Sequence, residues 1–200
     1  MSFRTTTPRH FALAALLLAG SACSSVGFSR VADDFDKAHR SSLFRLHVVV
    51  APAPAGDARV GAMMAKMAQR HANQHRDYIA KAVSVGGSLE AGACSEGIEG
   101  LLHLTGTVVR TDNGADVHLV GRLLRCSDNA IVWEADVDDD WDAADDNLVQ
   151  VRAQYARENG ASVEPFVAPV FHAVRALLDT LPRPKLEKEA DIDEKIEVGQ

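Results

Sequence analysis

A mixed α/β domain is the fold class this sequence predicts: a single, mostly antiparallel sheet of about four strands with helices packed on it, following a cleaved signal peptide. Three patterns predict it. Period-two runs separated by turn signals lie between Leu101 and Val137. A long stretch of helical period precedes them, over Asp57 to Ala82. Two shorter helical stretches follow, and one sheet covered by helices is the economical way to bury all of these faces.

The first predicted strand is Leu43 to Ala51, where Val48-Val49-Val50 is continuously apolar. That pattern suits a strand covered on both faces. Pro52 and Pro54 end it, because proline cannot extend a ladder. Asp57 is the expected N-cap of the long helix. Val60, Met64, Met67, His71, His75 and Tyr78 recur along one side of that helix, and small residues flank them. Gly86, Gly87 and the Gly92 region predict a loop. Strands are then expected at Leu101 to Arg110, Ala115 to Cys126 and Ala130 to Val137. Asp112-Asn113-Gly114 forms the first hairpin turn and Ser127-Asp128-Asn129 the second. Leu148, Val151 and Tyr155 mark a short helix ended at Asn159-Gly160. Pro165 to Leu181 forms another, stopped by Pro182 and Pro184.

The domain organisation that follows is a signal peptide over 1–22, a lipidated tether over 23–40, an α/β domain over 41–182 and a charged flexible tail over 183–200. The signal peptide has three parts. Arg4, Arg9 and His10 are basic, Phe11 to Ala19 is apolar, and Ala19-Gly20-Ser21-Ala22 is small. The apolar run is about half of the roughly twenty residues that a membrane-spanning helix needs. Ordinary cleavage after Ala22 would fit. Leu18-Ala19-Gly20-Ser21-Ala22-Cys23 also resembles a lipobox, although Gly20 stands where leucine is usual. In a lipobox the cysteine thiol takes a diacylglyceryl group and the new amine an acyl chain such as palmitate. Several chains on Cys23 would anchor the protein stably, since each buried methylene contributes about 0.8 kcal/mol. Ser24, rather than Asp, follows it, which favours the outer membrane over the inner.

Removal of residues 1–22 takes away two arginines and no acid, so the net charge falls from −7 to −9. An acidic protein is a poor ligand for nucleic acid or for anionic lipid surfaces. With Cys23 lipidated, Cys94 and Cys126 remain, and in an oxidising periplasm they read as one disulfide; the alternative is two separate thiols. No C-x-x-C is present, so neither thioredoxin chemistry nor a cysteine zinc site is expected.

His71 and His75 have metal-ligand spacing on a helix, but Ala72 stands where a metalloprotease carries its glutamate, and no third ligand is identifiable. Partly buried structural histidines are the reading they support. His103 and His118 lie on neighbouring strands and could face each other, without an acid or nucleophile to form a catalytic set. Glu134 to Asp146 holds eight acids and no base. It lacks the glycine and the glutamate of a calcium loop, with Trp141 and Asn147 in those places. A solvated loop is expected, and Asp138, Asp139, Asp140 and Asp142 are candidates for docking a basic partner surface. No metal, cofactor or catalytic residue is assigned.

The chain resembles a family of Gram-negative lipoproteins over about Phe35 to Gly199. Carriers include Cys94-Ser95-Glu96-Gly97-Ile98-Glu99-Gly100, Leu123-Leu124-Arg125-Cys126, Val132-Trp133 and Pro165-Phe166-Val167-Ala168-Pro169. The resemblance implies no activity and carries over no functional residue. More distantly, the element order is similar to the small α/β domain of the curli-secretion lipoprotein, the penicillin-binding-protein activator lipoprotein and the amino-terminal domain of TolB. Those proteins bind partners or assemble. The expected function is therefore a non-catalytic lipoprotein, joined to the bilayer through acylated Cys23 and bound to an envelope protein. The alternatives are a secretion-channel subunit and a metal-dependent hydrolase built on His71 and His75.

Overall fold

The computed structural model describes residues 26–52, 54–86, 93–95, 97 and onward to 199. Cys23, Gly87 and Gly92 lie outside the described residues, and with them the expectations placed there.

One sheet of six strands organises the described residues: β1 (Val26–Val31), β2 (Arg45–Val50), β3 (Ile79–Val85), β4 (Gly100–Arg110), β5 (Gly114–Arg125) and β6 (Ile131–Asp142). Their order across the sheet is β1-β6-β5-β4-β2-β3. The expected meander is present as β4-β5-β6, antiparallel throughout. The sheet is larger than about four strands and is partly parallel, because β2 runs parallel to both β3 and β4. A helix, α1 (Ala58–His75), makes the crossover between β2 and β3. Then come α2 (Val149–Asn159), α3 (Glu164–Leu178) and α4 (Glu189–Val198).

Strand pairs put side chains on one face in register. Val48 lies beside Leu102, Leu102 beside Leu123, and Leu123 beside Trp133. All are buried, together with Val167, Val174 and Leu177 of α3 and Met63, Met64 and Met67 of α1. Gly121 makes room for the Trp133 ring, since a Cβ there would stand 2.7 Å from Trp133 Cη2. Trp133 Nε1 donates to Thr180 Oγ1 at 3.2 Å, which satisfies the one polar atom of that ring.

Four sequence expectations are corrected. The helix from Asp57 stops at His75 rather than Ala82. Asp77 takes the left-handed conformation (φ 62°) just past the helix end, a place where aspartate is tolerated. Asn73 Oδ1 then accepts the Ala80 N–H at 2.7 Å, and the remainder becomes β3. The tether contains β1, which pairs with β6. Five of its six residues are exposed, so it shows no burial period to read. The acidic stretch is not a loop as far as Asp142. It continues β6, with Asp138 paired to His118 and Asp140 to Asp116. Aspartate is rare in strands, and the run is held by the ladder to β5 rather than by propensity.

The fourth correction is the flexible tail, which contains α4 docked beside β3. Arg45 binds there, with Nη1 3.1 Å from Glu99 Oε1 and Nε donating to Glu194 Oε2 at 2.9 Å. Its Nη2 also reaches Asp191, a carboxylate only 6% exposed. Burial works to lower the Arg45 pKa, yet the three carboxylates together hold it above its usual range. Lys81 adds a 2.5 Å contact to Glu194. Arg45→Ala is expected to weaken the docking of α4 by about 2–3 kcal/mol, since carboxylates that stay behind lose their partner. Amide exchange over Glu189–Val198 reads this directly. Unchanged protection would show that apolar contacts alone hold the helix.

Candidate functional site

A concavity lies on the helical side, where α1, α2 and α3 converge around a cleft of about 640 Å³. Each helix contributes residues at helical spacing. Met67, Arg70, His71, Gln74 and His75 come from α1; Val151, Gln154 and Tyr155 from α2; Phe171 and Arg175 from α3, with Asp179 and Arg183 just beyond it. His71 and His75 are therefore brought to one site, with ring centroids 5.0 Å apart.

They do not form a metal cluster. His71 Nε2 lies 3.0 Å from Asp179 Oδ1. Burial lowers the His71 pKa, against the pull of Asp179, and His75 adds to the lowering. The Asp179 carboxylate accepts from His71 Nε2. No group of three or more His, Cys, Asp or Glu residues able to hold a metal ion occurs among the described residues.

The arginines of this cleft escaped sequence reading. Arg70 Nη2 forms a two-oxygen contact with Glu158, at 2.9 and 3.0 Å, and its guanidinium lies 4.9 Å over the Tyr155 ring. Gln154 Nε2 donates to the same Glu158 at 2.9 Å. Arg175 and Arg183 are more exposed and more loosely paired, 3.7 Å from Asp179 and 3.4 Å from Asp77 respectively. The available signal was the i, i+4 run Phe171, Arg175, Asp179, which repeats the spacing of His71 and His75.

The remaining candidates fall elsewhere. His103 and His118 do not face each other: His103 is paired with Arg122, and His118 with Thr107 and Asp138. His118 Nδ1 is 3.5 Å from Asp138 Oδ2. Asp138, Asp139, Asp140 and Asp142 are exposed at the end of β6. Beside them Asp145 accepts from His172 Nε2 at 2.9 Å. The Asp145 pKa is lowered, first by the Asn147 backbone N–H and then by His172.

Cys94 and Cys126 are bridged, with their Cα atoms 5.6 Å apart. The bridge lies on the sheet face away from α1 and α3. Val49, Leu101 and Leu124 point to that face, as their pairing with His103, His47 and each other requires. They are nevertheless 2%, 1% and 6% exposed. Ala93, beside the bridge, sets its carbonyl oxygen 3.2 Å from His47 Nδ1. The disulfide thus ties Ala93–Ser95 to the end of β5, on the side of the sheet that carries this second, smaller apolar patch.

No family model matches this sequence, and no curated protein matches it. Among solved structures it is similar to the PelC dodecamer from Paraburkholderia phytofirmans. Identity is 15% over 73% of this chain and 91% of that one, at a TM-score of 0.40. A single-substitution variant of PelC from the same organism, also a dodecamer, gives 17% identity over 78% and 99%, at a TM-score of 0.42. At these values the likeness is one of outline and carries nothing about assembly or role.

Proposed function

We propose that this chain is a lipid-anchored, non-catalytic binding protein of the bacterial envelope, cleaved before Cys23, acylated there and facing the periplasm, with the outer membrane favoured. The observation that carries the reading is the start of β1 at Val26, three residues past Cys23. An extended chain spans at most about 3.6 Å per residue, so an anchored cysteine holds the sheet within roughly 10 Å of the bilayer surface. The Cys94–Cys126 bridge supports an oxidising compartment.

The anchor also orients the body. Val26 pairs with Val137, and β6 runs on from there into Asp138–Asp142. The anchored end of β1 is therefore the acidic end of the sheet. A basic surface on an envelope protein, presented close to the membrane, suits Asp138, Asp139, Asp140 and Asp142.

Mass spectrometry of protein taken from its own membranes is the test. The expected N-terminal residue is Cys23 carrying diacylglycerol and an acyl chain, and Cys23→Ala is expected to move the protein into the aqueous fraction. An intact precursor with an unmodified Cys23 thiol would overturn the reading.

A further inference from the structure

We propose that the cleft between α1, α2 and α3 binds a small oxyanion carried on an apolar or aromatic body, such as a phosphate monoester or a carboxylate. The inference goes beyond the anchored role above and does not depend on lipid at Cys23.

Charge is the first argument. Lys66, Arg70, Arg76, Arg175 and Arg183 lie in or beside the cleft, against the carboxylates of Asp77, Glu158 and Asp179. The cleft is thus a local cationic excess in a chain of net charge −7. Cations gathered against the overall charge favour an anion at that place.

Donor supply is the second argument. A guanidinium carries five N–H donors. Arg70 is committed to Glu158, whereas the carboxylate contacts of Arg175 and Arg183 are long, at 3.7 and 3.4 Å. These two half-exposed forks retain donors for a ligand's oxygens, and they reach the cleft from two separate segments.

The third argument is the wall chemistry. Met67, Val151, Tyr155 and Phe171 give the cleft apolar and aromatic surface, and its volume of about 640 Å³ suits a small molecule. Gln74 and Gln154 add neutral polar groups at the wall. An oxyanion without a body would leave the apolar surface unused, and a cationic ligand would meet the same arginines as repulsion.

Titration calorimetry on the full chain, with phenyl phosphate, inorganic phosphate and benzylammonium as separate probes, tests this. Phenyl phosphate is expected to bind at least roughly tenfold more tightly than inorganic phosphate, with no binding of benzylammonium. Arg175→Glu together with Arg183→Glu, both on the surface, is expected to weaken phenyl phosphate by at least about tenfold, as loss of charged hydrogen bonds predicts. The melting temperature of that variant serves as the folding control. Arg175→Lys with Arg183→Lys is expected to restore part of the affinity. No phenyl phosphate binding, equal binding of benzylammonium, or affinity that survives the double glutamate variant would each overturn the proposal. Vesicles of phosphatidic acid give the arm for a membrane source. Recruitment to them without any binding of phenyl phosphate would also overturn it.

Discussion

Gly106→Ala is expected to destabilise the domain by about 3–5 kcal/mol, among the largest effects available to a single methyl group. Gly106 sits inside β4 at φ 151°, opposite Leu119. A Cβ built there would stand 1.9 Å from the His118 carbonyl oxygen and 2.9 Å from Leu119 Cα. Both are backbone atoms of the paired strand, so no rotamer change relieves the contact. The sheet must either part or change register at its middle, where β4 and β5 hold the α3 face of the core together. Urea unfolding of the variant beside Thr105→Ala measures the effect. The threonine variant is expected to lose less than about 1 kcal/mol, as partly exposed positions usually do. Equal midpoints for the two variants would show that the strand accommodates a side chain at 106.

Loss of the Cys94–Cys126 bridge is expected to cost about 3–4 kcal/mol, from the chain entropy of a loop whose ends are 32 residues apart. For a chain of this size that corresponds to a fall in melting temperature of roughly 10 °C. The effect reaches beyond the denatured state, because the bridge holds Ala93–Ser95 beside His47, on the face where Val49, Leu101 and Leu124 are buried. Cys94→Ala with Cys126→Ala, and the unsubstituted protein under reductant, are expected to reach the same lowered midpoint. A midpoint that reductant does not move would mean that the bridge adds no stability.

Local chemistry made much of the sheet legible. The β4-β5 hairpin was readable because Asn113-Gly114 turns the chain between two alternating runs. The start of α1 was readable because Asp57 accepts the Arg59 N–H at 2.9 Å, a contact made within three residues. The cysteine pair was readable by elimination, with separate thiols as its alternative. At the site, the α1 stripe through His71 and His75 was visible, while its facing arginines were not. Nothing local ties Arg175 and Arg183 to residues a hundred positions earlier.

The elements that local pattern hides share one cause. β1 looks like polar linker because its order comes from backbone bonds to β6, more than a hundred residues away. α4 looks like a solvated tail because its anchors, Asp191 and Glu194, meet Arg45 from the other end of the chain. The acidic end of β6 looks like loop because aspartate opposes strand on propensity, yet its backbone is paired to β5.

By itself, then, the amino-acid order determined the α/β class, the central meander and the buried faces of the longer helices, all of which rest on periodicity and turn chemistry within a few residues. Only the tertiary structure decided the six-strand mixed sheet, the docked α4 and the arginine-rimmed cleft. Those depend on hydrogen bonds and ion pairs between residues far apart in the chain, and no local pattern encodes which distant partner a backbone edge or a charge will meet.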